Sequence, residues 1–159
     1  MMRKCVAALA ACGLVVGLAF AADPIKIEAK SFEIKSAFEN SAEGVQFVEA
    51  DGRVAFYTNG TAKSEIDVPA DGEYTITIEA ACDAAKEVNA KFKLSVGADV
   101  IAKEHTLTST EKKEYTFTAK LKKGKVKLVV EFLNDEYKEN EYDRNFYLYD
   151  AKVEEKKAK

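Results

Sequence analysis

The chain of 159 residues carries 24 Lys and Arg against 27 Asp and Glu, a formal net charge of −3, with 47% hydrophobic and 32% charged residues. This length suits one domain of ordinary size, and the balance of apolar and charged residues excludes a disordered or fibrous chain. The acidic balance gives no electrostatic reason for a nucleic-acid partner, and three Cys, one His and no Trp leave little material for disulfide frameworks, zinc sites or thiol chemistry.

Residues 1–4 hold two positive charges and residues 5–20 form an apolar, small-residue run that closes on Ala19-Phe20-Ala21. That pattern predicts a signal peptide of residues 1–21 cut after Ala21, because small side chains fit the two narrow pockets of signal peptidase. The expected location is therefore secreted or periplasmic. Leu9-Ala10-Ala11-Cys12 offers a competing lipobox reading with Cys12 as a lipid-modified terminus, against which the chain stays apolar beyond Cys12. As a membrane span the run is short of the ~20 residues a helix needs. Cleavage removes Arg3 and Lys4 but no acid, leaving 22 basic residues against 27 acidic ones and Cys82 as the one remaining thiol.

From Ile25 onward the dominant period is two. Tyr74, Ile76 and Ile78 alternate with Thr75, Thr77 and Glu79. Phe92, Leu94 and Val96 alternate with Lys91, Lys93 and Ser95, and the same rhythm returns around Tyr115, Phe117, Val126, Leu128 and Val130. These are half-buried antiparallel strands. Asp51-Gly52 and Asn59-Gly60 bracket a short strand at residues 53–57, Pro69-Ala70-Asp71-Gly72 predicts a tight turn, and Lys122-Lys123-Gly124 is expected to close a hairpin. The best helical stretch, residues 83–91, is short. About ten short strands without a long amphipathic helix predict an all-β fold. We expect a single-domain antiparallel β-sandwich of jelly-roll type over residues 24–154, followed by a charged tail at 155–159.

One segment breaks the rhythm. Between Phe132 and Phe146 lie five carboxylates, three Asn and two Tyr. Such a loop is either a solvated surface or a divalent-cation site, since hard Ca²⁺ takes ~6–8 oxygen ligands. The Gly and flanking helices of an EF-hand are missing. His105 stands alone at an expected exposed strand end, a poor place for the base of a nucleophilic triad, and acids in a loop without an aromatic-lined cleft make weak glycosidase candidates, so the chain is predicted not to be an enzyme.

Phe132-Leu133-Asn134-Asp135-Glu136-Tyr137, followed by Asp143-Arg144-Asn145-Phe146-Tyr147-Leu148, resembles the C-terminal signature of calcium-dependent, xylan-binding-type carbohydrate-binding modules. Val68-Pro69-Ala70-Asp71-Gly72-Glu73-Tyr74 is similar to that family's entry into a central strand. The resemblance implies a non-catalytic jelly-roll that binds polysaccharide through a loop-held Ca²⁺ whose coordination is completed by vicinal sugar hydroxyls. It implies Asp135 and Asp143 as metal ligands, Asn134 and Asn145 as ligands or loop braces, and Glu87 as a further acid. Tyr137 and Tyr142 are the expected stacking rings, and Arg144 either contacts sugar or caps loop carbonyls. Lys30 stands where related modules carry a Glu for a second, structural calcium, so that second site is expected to be absent. The alternative is a structural or interaction β-sandwich with a separate partner protein, keeping calcium for stability alone.

Overall fold

The computed structural model describes residues 22–38 and 44–156. The expected cleavage point after Ala21, the lipobox Cys12 and residues 157–159 of the tail lie outside the described residues. Within them the strands are β1 Ile25–Ile27, β2 Glu33–Ser36, β3 Val45–Val48, β4 Arg53–Phe56, β5 Gly60–Val68, β6 Gly72–Cys82 and β7 Lys91–Val96. They continue as β8 Asp99–Thr106, β9 Lys113–Leu121, β10 Gly124–Phe132, β11 Glu136–Lys138, β12 Tyr142–Arg144 and β13 Phe146–Glu155. Two antiparallel sheets face each other. One runs β3-β4-β13-β6-β9 with β1 added on β13, the other β2-β5-β10-β7-β8.

The alternation dictates this packing. Ile76 and Ile78 of β6, Leu94 of β7 and Leu128 and Val130 of β10 are fully buried, while Thr75, Lys93 and Lys127 beside them keep contact with solvent. Period two sends every second side chain to one face, so two such faces close on a single core. At one end of that core Phe56, Phe92, Phe132 and Phe146 interlock: Phe146 lies with its ring centroid 5.3 Å from Phe56, 5.6 Å from Phe92 and 5.8 Å from Phe132. Burying each ring stabilises the fold by about 1.5–3 kcal/mol. Phe132 ends β10 and Phe146 starts β13, so this cluster fixes both feet of the acidic segment.

The expected hairpin at Lys122-Lys123-Gly124 is not one. β9 pairs with β6 in the first sheet and β10 with β5 and β7 in the second, so the turn crosses between layers. Asp71, in the other crossing turn at that end, holds it: its carboxylate accepts from the Lys123 backbone N–H and the Lys122 ammonium, both at 2.8 Å. A short polar turn reads alike in both situations, and the choice falls to whichever faces can be buried. Residues 83–91 are not helical either, because Lys86 and Glu87 take left-handed φ values of 51° and 61° in a tight turn that bridges Ala85 and Val88. At the C-terminus, Glu155 belongs to β13 rather than to the tail, and the Lys156 N–H donates to the Glu73 carbonyl at 2.8 Å.

His105 is likewise not an exposed strand end. It is half-buried in β8, its ring centroid 5.1 Å from those of both Tyr115 and Phe117, and burial pushes its imidazole below the ordinary value. No helix among the described residues is long and apolar enough to cross a membrane.

Candidate functional site

The segment between β10 and β13 is not an open loop. It folds back as a small ladder of β11 against β12, pairing Glu136 with Arg144, Tyr137 with Asp143 and Lys138 with Tyr142. Asn140 turns the hairpin with a left-handed φ of 59°, a conformation its short polar side chain tolerates, and the Glu141 N–H closes the turn on the Lys138 carbonyl at 3.0 Å. Asp135 and Asn145 flank the ladder, one directly before β11 and the other directly after β12. The Asp135 N–H is held by the Asn59 side-chain oxygen at 2.9 Å, which ties the hairpin to the start of β5. Gly60 beside it must be Gly, because a Cβ there would meet the Lys35 carbonyl and Val45 Cγ2 at 2.6 Å.

A second segment, residues 83–90 between β6 and β7, packs against the hairpin. The Asp83 N–H donates to the Asn145 carbonyl at 3.0 Å. Asn145, 5% exposed, directs its Nδ2 at carboxylate oxygens of both Asp83 and Asp143, each at 3.1 Å. Asp83 also accepts a hydrogen bond from the Tyr147 hydroxyl. Burial raises that phenol's pKa, and the acceptor carboxylate adds to the effect, so the hydroxyl stays a donor.

The predicted residues divide by geometry. Asp135, Asp143 and Asn145 come together. Asn134 does not offer its amide outward: Oδ1 accepts from the Lys91 N–H at 2.6 Å and Nδ2 donates to the Asn89 carbonyl at 3.1 Å, which makes it a brace. Glu87 is exposed at the left-handed turn, and the acid of that segment bonded to the motif is Asp83. Tyr137 is 65% exposed, whereas Tyr142 is half-buried with the Lys86 ammonium 4.8 Å from its ring centroid. Arg144 is 3% exposed and spends its guanidinium on the carbonyls of Val88 (2.8 Å), Asn134 (2.7 Å) and Ala85 (2.7 Å) and on the Glu136 carboxylate (3.3 Å). Of its two expected roles this geometry matches the cap on loop carbonyls, since the buried fork spends four of its five N–H donors on protein oxygens. Asp83 and Asn59 escaped sequence reasoning; Asp83 lies 62 positions from Asn145 and carries no local signal beyond following a strand.

Two oxygens at the centre are buried without a hydrogen-bond partner, Oδ1 of Asp135 and Oδ1 of Asn145. Burial, with the neighbouring Asp143 charge, raises the Asp135 carboxyl above its ordinary value, against the opposing pull of Arg144. Buried acceptors that find no donor are costly. They suit a hard cation, which takes oxygen ligands alone. Among the described residues no three His, Cys, Asp or Glu side chains are gathered into a metal-binding cluster. Asp83 and Asp143 are instead linked through the Asn145 amide, so any cation here would draw on amide and carboxylate oxygens together.

A family model described as Ca-dependent carbohydrate-binding module, xylan-binding (CBM60) matches residues 75–159, a stretch that includes Asp83, Asp135, Asp143, Arg144 and Asn145. Among solved structures the chain is similar to a family 35 carbohydrate-binding module from Clostridium thermocellum, at 17% identity and a TM-score of 0.60, covering 83% of this chain and 98% of that one. It is similar to the CBM36-1 domain of a multidomain xylanase from the hindgut metagenome of Trinervitermes trinervoides, at 12% identity and a TM-score of 0.62, over 86% and 100% of the two chains. A CBM36 module in complex with calcium and xylotriose aligns at 16% identity and a TM-score of 0.56, over 81% and 98%. At these identities the likeness is one of fold. No curated protein matches the chain.

Proposed function

The chain belongs to the CBM60 family of calcium-dependent, xylan-binding carbohydrate-binding modules, and from that membership we propose that it is a non-catalytic, exported protein that binds a xylan-type polysaccharide at the hairpin of β11 and β12. The observation that carries the reading is the pair of buried, partnerless oxygens on Asp135 and Asn145, both within the matched segment. Ca²⁺ held there would offer open coordination positions to two vicinal sugar hydroxyls, so that few side chains are needed to recognise the diol.

The residues around it do the rest. Asp135 and Asn145 present the buried oxygens, while Asp143 and Asp83 supply charge at the rim. Asn145 Nδ2 holds those two carboxylates at fixed positions in the absence of a cation. Tyr137, exposed and paired with Asp143 across the ladder, offers its ring to the apolar face of a pyranose. Export rests on the apolar run of residues 5–20, in keeping with a polysaccharide outside the cell.

Calorimetry of xylo-oligosaccharides, with Ca²⁺ and after EDTA, tests the reading. Heat of sugar binding is expected only with the cation. Binding that survives EDTA, or Ca²⁺ binding with no heat from any xylan, galactan or cellulose oligosaccharide, would overturn it in favour of a structural calcium domain.

A further inference from the structure

Resting on the ion-site reading above, we infer that Arg144 is the positioning residue of that site: its guanidinium assembles the two loops before any cation arrives, so that ion and sugar meet a preformed surface. Residues 83–90 and residues 133–136 belong to different parts of the chain and converge on this one buried group, which donates to Ala85 and Val88 of the first and to Asn134 and Glu136 of the second. Arg144 is flanked by Asp143 and Asn145, so whatever fixes the guanidinium also fixes the backbone from which both side chains project.

The first loop needs this hold. Its turn places two non-Gly residues, Lys86 and Glu87, at positive φ, and such strain persists only where the surroundings over-determine it. Asp83 and Asn89 anchor the ends of the loop through Asn145 and Leu107. Among the described residues, the hydrogen bonds reaching the backbone of residues 84–88 from outside the loop are those of Arg144; the Lys86 side chain bonds Glu136, and Glu136 itself receives Arg144. A positive charge surrounded by three carbonyls and a carboxylate joins the two segments. Lys could not substitute, because a single ammonium lacks the planar fork that reaches both segments at once.

Hydrogen exchange and calcium titration of the wild type and of Arg144→Lys test this. The Ala85 and Val88 amides, which bond each other's carbonyls across the turn at 3.1 and 2.9 Å, are expected to be equally protected in the wild type with and without Ca²⁺. In Arg144→Lys they are expected to exchange about tenfold faster or more without the cation and to recover when it is added. Ca²⁺ affinity should fall about 10- to 100-fold, the usual effect of losing a group that orients metal ligands, while amides of β6 and β10 keep their protection. Wild-type protection that appears only on adding Ca²⁺ would overturn the proposal, as would an unchanged affinity in the variant or a loss shared evenly by core and loop amides. If Arg144→Lys fails to fold, the wild-type comparison with and without Ca²⁺ decides the matter alone. If the wild type binds no Ca²⁺, the ion-site reading fails, whereas the metal-free contrast between wild type and variant still judges Arg144 as the organiser of the loops.

Discussion

Asn145 donates through Nδ2 to the Asp83 carboxylate at 3.1 Å across 62 positions of sequence. That bond joins the end of β6 to the start of β13, strands that pair along most of their length. It brings to one place an acid with no motif of its own and an amide that sits in the strongest motif of the chain.

Calcium is expected to stabilise the protein. A ligand that binds only the native state adds about 2.7 kcal/mol at a concentration 100 times its dissociation constant, so the melting temperature should rise by several degrees with Ca²⁺ and return with EDTA. Asp143→Ala is expected to remove most of that rise. Scanning calorimetry checks both, and an undiminished rise in the variant would take Asp143 out of the ion site.

Asp135→Asn separates the cost of the site from its use. The Asp135 carboxylate is half-buried, has an oxygen without a partner and lies near another negative charge, so in the metal-free protein its ionised form is unfavourable. Neutralising it is expected to raise metal-free stability by about 1 kcal/mol and to abolish the response to Ca²⁺. Urea unfolding with and without the cation reads both effects, and a less stable metal-free variant would contradict the first.

The two tyrosines of the hairpin are expected to differ. Tyr137 is open to solvent, whereas the Lys86 ammonium covers one face of Tyr142. Tyr137→Ala should weaken xylo-oligosaccharide binding by about 1 kcal/mol, roughly fivefold, with the calcium response intact. Tyr142→Ala should weaken sugar binding less. Titration calorimetry at saturating Ca²⁺ ranks them.

His105 sets a pH dependence. Burial among Phe92, Tyr115 and Phe117 lowers its folded pKa, so the unfolded chain binds the proton more readily. The stability it contributes is full above the unfolded value of about 6.5 and is lost as pH falls through that value toward the lower folded one. Asp135, shifted the other way, favours the folded state on acidification, so the measurement belongs in the Asp135→Asn background. There the urea midpoint should fall between pH 7.5 and 5.5, and His105→Phe should remove that part of the decline.

Much of this was legible because strand periodicity is local. The inward residues of β6, β7 and β10 are those that the alternation assigns to the core, and the motif pair around Asp135 and Asp143 falls within the segment that the family model matches. The turn at Lys122-Lys123-Gly124 differs from its sequence reading for the opposite reason: whether a tight turn closes a hairpin or crosses between sheets depends on distant partners, such as Asp71 for Lys122, 51 positions away.

Sequence alone determined the two-sided strands and the concentration of carboxylates between Phe132 and Phe146, since both follow from residue type and spacing. The tertiary structure decided which oxygens are buried and partnerless, that Asn134 braces and does not open outward, and that Arg144 points inward at three carbonyls. Those properties arise only when segments distant in sequence are packed together. Desolvation and hydrogen-bond satisfaction belong to the assembled neighbourhood, and no single stretch of this chain contains it.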